Sequence, residues 1–251
     1  MMIYGLTLIL GLLFGSFFNV CIYRIPQGES IVFPGSHCPR CNHALTPWDN
    51  IPVISFLLLR GKCRFCQAPI SWRYPLVELL TAGLFLLVVH SFSLTWSTLV
   101  YLILTSAFIV ISFIDFDHQI IPDKISLPGI LIGFAASFVL PLHWYDSLLG
   151  ILFGGGIIMA VGYLGEWVFK KEAMGGGDVK LMAMIGAFLG WKSALLTIFF
   201  ASLIGAIIGI VMKRITGKEY LPFGPFLSIG AFLTFLWGER FLLWYWSLLL
   251  P

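Results

Sequence analysis

Two carboxylates at the ends of apolar segments are the residues best suited to chemistry in this chain. Asp115 closes one apolar run, and Asp178 opens another directly after Gly175, Gly176 and Gly177. A charge at the edge of a hydrocarbon core is costly, so each acid needs a partner or a function. Two carboxyl groups that share a proton can cleave a peptide, because the ionised one takes a proton from water while the protonated one polarises the carbonyl. Since the two acids are far apart in sequence, only the fold can pair them.

Other interpretations of these acids stay open on the residues alone. Asp115 and Asp117 could form a metal-chelating pair, but on a helix residues i and i+2 point about 200° apart. Asp117 also suits a solvated boundary position. Asp123 follows Pro122, where a carboxylate favours the start of a helix. An ion pathway is a further possibility, although these acids cluster at one surface rather than near the membrane midplane.

The positions of the two acids on their helices predict different protonation. Asp178 is expected in the first turn of its helix, where the dipole favours an anion, and Asp115 in the last turn, where it does not. We therefore predict that Asp178 is mostly ionised and that Asp115 tends to hold the shared proton. The glycines before Asp178 would let an extended substrate backbone approach. Lys180 is expected to be a counter-charge or a phospholipid contact.

Four cysteines form two C-x-x-C pairs, Cys38 with Cys41 and Cys63 with Cys66, and 21 residues lie between the pairs. This spacing is typical of four-thiolate zinc sites, in which two tight turns converge on a tetrahedral ion. Disulfides are the main alternative, but the charge pattern described below places this segment in a reducing cytosol. We predict a structural Zn²⁺ site that holds together a small insert with little core of its own. The flanking His37 and His43 are expected at the surface.

The elements that must position these residues are membrane helices. The chain has 251 residues, of which 59% are hydrophobic and 11% charged, a composition that excludes an ordinary soluble domain. The net charge of +3 is too small to indicate a nucleic-acid partner. We predict an all-α polytopic membrane protein with about eight crossings. Their ranges are 2–23, 74–90, 96–114, 125–140, 147–169, 179–189, 193–212 and 223–237. Residues 179–189 are short for a span, and an aromatic-rich tail follows Gly238.

The basic residues predict the orientation of these helices. With residues 24–73 in the cytoplasm, only Lys192 and Arg240 of the 15 Lys and Arg residues fall on the outer side. This skew agrees with the positive-inside rule. Both termini are then outside, and the four aspartates discussed above face the cytoplasm. No basic region precedes the first apolar run, so that run is expected to be a retained helix.

Small and polar residues within the apolar runs predict how the helices pack. Glycines four positions apart permit close helix contact, and three such pairs are expected at helix contacts. They are Gly11 with Gly15, Gly150 with Gly154, and Gly205 with Gly209. Asn19 is expected to donate a hydrogen bond between helices, and Cys21 to be a small buried side chain.

Five motifs, in order along the chain, resemble those of the type IV prepilin leader peptidases. They are residues 15–26 (GSFFNVCIYRIP), the double C-x-x-C insert, residues 71–81 (SWRYPLVELLT), residues 114–123 (IDFDHQIIPD) and residues 175–181 (GGGDVKL). The resemblance runs from about residue 11 to about residue 190. The G-x-G-D motif alone would also suit presenilin-like proteases. The resemblance implies a bacterial inner-membrane aspartic endopeptidase that cuts the basic leader of prepilins and pseudopilins after a glycine. Most members then methylate the new N-terminal residue with S-adenosylmethionine.

The resemblance also implies roles for individual residues. The catalytic pair falls on Asp115 and Asp178, and the zinc ligands on the four paired cysteines. Glu78, just inside the second crossing, is a candidate for methyl transfer, and its alternative is an ion pair with Arg73 or another basic residue. The residues themselves, and not the resemblance, suggest the candidates for substrate contact, which are Gly175, Gly176, Gly177, Asp117, Asp123 and Lys180.

Three segments follow from this interpretation. Residues 1–23 form the first helix, residues 24–73 the cytoplasmic zinc insert linked to methylation, and residues 74–251 the peptidase domain with helices 2–8. The expected partners are prepilin substrates and the lipid bilayer. A peptidase without methylation and a non-enzymatic zinc-ribbon assembly factor are the alternative functions.

Overall fold

The structure is a computed structural model that describes residues 2–170, 174–217 and 221–249. The described residues form helices joined by loops. Two isolated β-bridges are present, and no strand longer than a bridge is found among the described residues. The helices are α1 (Met2–Arg24), α2 (Ile54–Leu58), α3 (Arg73–Phe92), α4 (Trp96–His118), α5 (Asp123–Ala136), α6 (Trp144–Phe169), α7 (Gly176–Thr216) and α8 (Gly224–Leu249), with a 3₁₀ turn at Pro47–Asn50. The predicted all-α class is confirmed.

Six of the described helices are long and apolar enough to cross a membrane, namely α1, α3, α4, α6, α7 and α8. The 41-residue α7 is two helices, because Gly190 leaves helical geometry with φ 77° and ψ 171°. A Cβ on Gly154 would lie 2.6 Å from the Met182 oxygen and 3.6 Å from the Ala194 Cβ. Met182 and Ala194 would be about 18 Å apart along a continuous helix. Because both lie beside the same position on Gly154, the chain must fold back between them, at Gly190. With the 14-residue α5, the two halves of α7 give eight apolar helices, as predicted.

Several helix boundaries differ from those expected from hydropathy. Helix α4 continues to His118, four residues beyond the apolar run that ends at residue 114, and Asp115 lies in its last turn as predicted. The backbone hydrogen-bond ladder does not stop at the first charge. It ends where Gln119 adopts a φ of 55°. Helix α8 runs to Leu249, so the tail after Gly238 continues that helix.

The chain divides into two compact units that are each contiguous in sequence, unit 1 (Met1–Val110) and unit 2 (Ile111–Pro251). In unit 1, α1 packs against α3. A Cβ on Gly11 or Gly15 would lie 2.6 Å from a backbone Cα of α3, so only glycine permits this approach. The Asn19 amide donates to the Tyr74 carbonyl at 3.1 Å. Both expectations for this helix pair are confirmed.

In unit 2, α7 is the central element and packs against α5, α6 and α8. The backbones of Gly150 and Gly186 touch where α6 crosses α7. The first half of α7 is fully buried over Leu181–Ile185 except for Ala183, which is 8% exposed, and this half carries Asp178. Gly209, expected at a close contact, has no neighbour within 4 Å among the described residues, so that expectation was wrong.

Candidate active site and cysteine centre

Asp115 is buried near the end of α4, with 5% of its surface exposed. Its Oδ2 accepts a 2.9 Å hydrogen bond from the Gly224 backbone N–H. This donor is available because the first N–H groups of a helix have no partner within it, and Gly224 begins α8. A Cβ on residue 224 would lie 2.6 Å from that oxygen, so the contact requires glycine.

Gly224 was missed in the sequence because a backbone donor has no residue-type signature. The signal that could have indicated it is the sequence Pro222-Phe223-Gly224-Pro225. Proline and glycine together mark a turn and a helix start, and a helix start supplies free N–H groups.

Asp178 occupies the first turn of α7, as predicted, and its side chain is half-buried. Its N–H donates to the Gly175 carbonyl at 3.1 Å, and Gly175 is the N-cap residue with extended backbone geometry. The dipole of the helix therefore favours negative charge at this carboxylate.

The structure brings Asp115 and Asp178 to the same end of unit 2. The link is the side chain of Ile121, whose atoms lie 2.9 Å from a Cβ position on Gly177 and 3.3 Å from one on Gly224. Gly177 immediately precedes Asp178, and Gly224 binds Asp115, so the two acids flank one isoleucine. Their carboxylates interact electrostatically. The two acids therefore lie in one region of unit 2, and their catalytic roles remain a prediction.

The other acids of this region lie at the surface. Asp117 is exposed on α4 although Asp115 is buried, so these two do not converge as a chelating pair. Asp123 is the first residue of α5, and the Lys180 ammonium donates to both of its oxygens at 2.7 and 2.8 Å. Of the two expectations for Lys180, the structure shows the counter-charge. Both side chains are well exposed, so the pair contributes at most about 1 kcal/mol.

The three glycines before Asp178 are not equivalent. Gly175 and Gly176 are exposed, whereas Gly177 is half-buried against Ile121. The two exposed residues present bare backbone at the end of the unit where the paired acids lie. A substrate strand could approach them closely, which is the role predicted for them.

The four cysteine sulfurs of the insert lie within 4.8 Å of one another, and none is in a disulfide. The Cys38 and Cys66 sulfurs are 3.8 Å apart. Tetrahedral zinc with Zn–S bonds of about 2.3 Å would place its sulfurs about 3.8 Å apart, so the residues fit this metal. Among the described residues neither His37 nor His43 belongs to the cluster. The cysteines can therefore hold one metal ion without another ligand.

The two C-x-x-C segments have the same backbone geometry. Each first cysteine has its N–H and carbonyl bonded within its own turn. The bonds are Cys38 N–H to His43 O (3.0 Å), Asn42 N–H to Cys38 O (2.9 Å), Cys63 N–H to Ala68 O (2.8 Å) and Gln67 N–H to Cys63 O (3.1 Å). The backbone N–H groups of Cys41 and Arg40 lower the pKa of the Cys38 thiol to about 6, which favours the thiolate that binds metals.

The rest of the insert is fixed by two buried carboxylates. Asp49 accepts from the Thr46 hydroxyl and the Arg64 guanidinium, both at 2.7 Å, and these bonds lower its pKa. Glu78 accepts the Val53 N–H at 2.7 Å, where Val53 has a φ of 61° that a β-branched residue rarely adopts. The alternative expected for Glu78, an ion pair with a basic residue, is not formed among the described residues.

The fold and the site define a multi-pass membrane protein with two neighbouring aspartates and a four-cysteine insert. Comparison with known proteins gives a more specific result. Residues 9–92 match the Bacterial Peptidase A24 N-terminal domain, and residues 102–210 match the Type IV leader peptidase family. No solved structure matches the chain.

Several curated relatives match nearly the whole chain and carry the name prepilin leader peptidase/N-methyltransferase. The one from Pseudomonas aeruginosa is 41% identical over 93% of this chain and 90% of its own length. The one from Neisseria gonorrhoeae is 40% identical over 92% and 89%, and the one from Aeromonas salmonicida 38% identical over 98% and 95%. The chain therefore belongs to the type IV leader peptidase family and is an enzyme. A non-enzymatic assembly factor is excluded.

Proposed function

We propose that this enzyme is a membrane-embedded aspartic endopeptidase that removes the basic leader from type IV prepilins and pseudopilins and methylates the new N-terminus. The observation that carries the proposal is the convergence of Asp115 and Asp178 around Ile121 at one end of unit 2. The names of the relatives support prepilins as the substrate class.

In the proposed reaction the two acids have different roles. Ionised Asp178 takes a proton from water, which attacks the scissile carbonyl, while protonated Asp115 donates its proton to the carbonyl oxygen. The proton held by Asp178 then passes to the leaving amine, and Asp115 recovers a proton as the carbonyl re-forms. The Gly224 N–H fixes one Asp115 oxygen, so that the other carboxyl oxygen is the one directed to the substrate.

The substrate approaches from the cytoplasmic side in this proposal. The positive-inside skew puts the insert and the paired acids there and both termini outside. A prepilin has its basic leader in the cytoplasm and its apolar helix in the bilayer, so the scissile bond lies at the boundary. Exposed Asp117 and Asp123 are the candidates to bind the basic leader. Exposed Gly175 and Gly176 are the candidates to border its extended backbone.

The second activity belongs to the cysteine insert and its neighbours. S-adenosylmethionine would supply the methyl group, and Glu78 is the candidate group for methyl transfer. The four cysteines would hold a structural Zn²⁺ and keep the insert folded. In this proposal unit 1, which contains residues 24–73 and Glu78, serves methylation, and unit 2, which contains Asp115 and Asp178, serves proteolysis.

Neutralising either acid should abolish leader cleavage. Purified Asp178→Asn and Asp115→Asn variants are expected to lose at least about 10³-fold in rate, because one member of an acid–base pair cannot complete the proton transfers alone. The measurement is loss of the leader from a purified prepilin, followed by mass spectrometry with and without S-adenosylmethionine. Glu166→Gln, which removes an exposed carboxylate of α6, is the matched control. Cleavage that survives Asp178→Asn would refute the proposed pair.

A further inference from the structure

A cavity of about 510 Å³ lies within unit 1, and all of its lining residues belong to that unit. It is bordered by the second half of α1, the start of α3 and the cysteine insert. Sites for small organic molecules are typically about 300–1,000 Å³. The cavity is therefore large enough for a nucleoside-sized ligand, and its charges indicate which kind of ligand it suits.

Arg24 is a buried cation at this cavity, and none of the described carboxylates pairs with it. It is 6% exposed, and its Nη1 and Nη2 donate to the Ser30 and Gly35 carbonyls at 3.0 and 3.2 Å. A guanidinium has five N–H donors, so further donors remain. Buried arginines are almost always paired, which points to an anionic group on a ligand.

Glu78 presents the opposite situation in the same cavity. It is also 6% exposed, and its carboxylate accepts a hydrogen bond from the Val53 N–H. Among residues 2–170, 174–217 and 221–249 no cation lies against it. A buried carboxylate without a counter-charge is costly. A positive group on the ligand would neutralise it.

Arg24 and Glu78 lie at different heights along the packed helices α1 and α3. Glu78 packs on Gly15 of α1, and Gly15 lies nine residues before Arg24, about 14 Å along the helix. Tyr74 and Phe56 also line the cavity and offer aromatic faces for a nucleobase or a cation. A ligand that suits this arrangement has a carboxylate, a cationic centre and an aromatic ring.

We propose that this cavity is the binding site for S-adenosylmethionine, with its carboxylate on Arg24 and its sulfonium beside Glu78. The inference rests on the methyl transfer included in the proposed function, and it adds the site and the residues. A phosphatidylethanolamine headgroup also carries one charge of each sign, so the experiment must distinguish the two ligands.

The test compares S-adenosylmethionine with S-adenosylhomocysteine, which has the same carboxylate and adenosine but a neutral sulfur. Calorimetry on the full-length, zinc-loaded protein in lipid-free detergent should show that the wild type prefers the sulfonium form about tenfold, which corresponds to 1.4 kcal/mol. Glu78→Gln should remove this preference, whereas Arg24→Gln should weaken both ligands about tenfold. Glu166→Gln and Lys124→Gln, at exposed positions, are the matched controls and should leave both affinities unchanged.

Each other result has a definite meaning. Unchanged affinities in both cavity variants would overturn the assignment of the site. A wild-type protein that cleaves prepilin but does not bind S-adenosylmethionine would instead overturn the methyl transfer of the proposed function. Phosphatidylethanolamine could instead displace S-adenosylmethionine and lose affinity in both the Arg24 and the Glu78 variants. That result would identify the cavity as a lipid site and overturn the proposal.

A second measurement applies if either variant fails to fold. The wild type can be photolabelled with an azido-adenosine analogue of S-adenosylmethionine and then digested. Labelled peptides from residues 16–78 would support the proposal. Label confined to residues beyond 111 would contradict it.

Discussion

At the scale of single residues, the backbone N–H of Gly224 matters as much to Asp115 as any side chain. Gly224→Ala should lower the rate of leader cleavage about 10- to 100-fold, because the added Cβ would lie 2.6 Å from Oδ2 and break the hydrogen bond, and a buried polar group left without its partner costs about 1–3 kcal/mol. Steady-state kinetics with a purified prepilin should show this loss in kcat with little change in KM, since the bond orients a reacting group.

Gly209→Ala is the matched control for that substitution, because a Cβ there meets no described atom within 4 Å. It should retain wild-type kinetics. Equal rates for Gly224→Ala and Gly209→Ala would show that the N–H bond does not position Asp115.

Single residues differ in how clearly the sequence identifies them as part of the site. Asp115, Asp178 and the four cysteines were identifiable because charges at the edge of apolar runs and paired thiols are conspicuous by type and spacing. Gly224 and Val53 act through backbone N–H groups, which every residue except proline has. Arg24 was counted only as one of many basic residues, because its burial depends on how the insert folds over α1.

At the scale of elements, the reversal at Gly190 determines where Asp178 lies. Gly190→Ala should destabilise unit 2 by about 1–3 kcal/mol, since a φ of 77° with a ψ of 171° is essentially restricted to glycine. The new Cβ would also lie 2.8 Å from Leu142. Unfolding in mixed micelles of increasing SDS content would measure the loss.

The control for the reversal is Gly156→Ala in α6, where a Cβ has no described neighbour within 4 Å. There alanine should be neutral or stabilise the helix by up to about 1 kcal/mol. If both variants unfolded at the same SDS content, the strained geometry at Gly190 would not contribute to stability.

Hydropathy predicted the number of helices and their packing glycines better than their ends. Residues 179–189 seemed short for a crossing because the helix also includes the polar start at Gly176–Asp178, which an apolar count excludes. Helix α4 extends beyond its apolar run for the same reason. A helix ends where its backbone changes, and hydropathy does not record that change.

At the scale of the whole molecule, the two proposed activities belong to units that are separate in sequence. Removing the metal should therefore abolish binding of S-adenosylmethionine while leader cleavage retains at least about half of its rate. Zinc binding typically contributes about 10–16 kcal/mol to the folding of such a site, and Cys38 and Cys63 line the cavity. The experiment measures the affinity for S-adenosylmethionine and the rate of leader cleavage before and after the metal is removed with a chelator.

Restoring Zn²⁺ should recover ligand binding in that experiment, and a Cys38→Ser, Cys63→Ser double variant should not recover. A parallel loss of both activities on chelation would contradict the separation and show that proteolysis also depends on the insert.

The contiguity of the two units has a consequence for how the protein is made. Every residue that pairs α1 with α3 and every cysteine of the cluster precedes residue 111. Because a chain emerges from the ribosome in order and its domains fold as units, the first 110 residues can assemble and acquire their metal before Asp178 and Gly224 have been synthesised. Completion of the peptidase site requires the last membrane helix, because Asp115 receives its backbone partner only when Gly224 has been made.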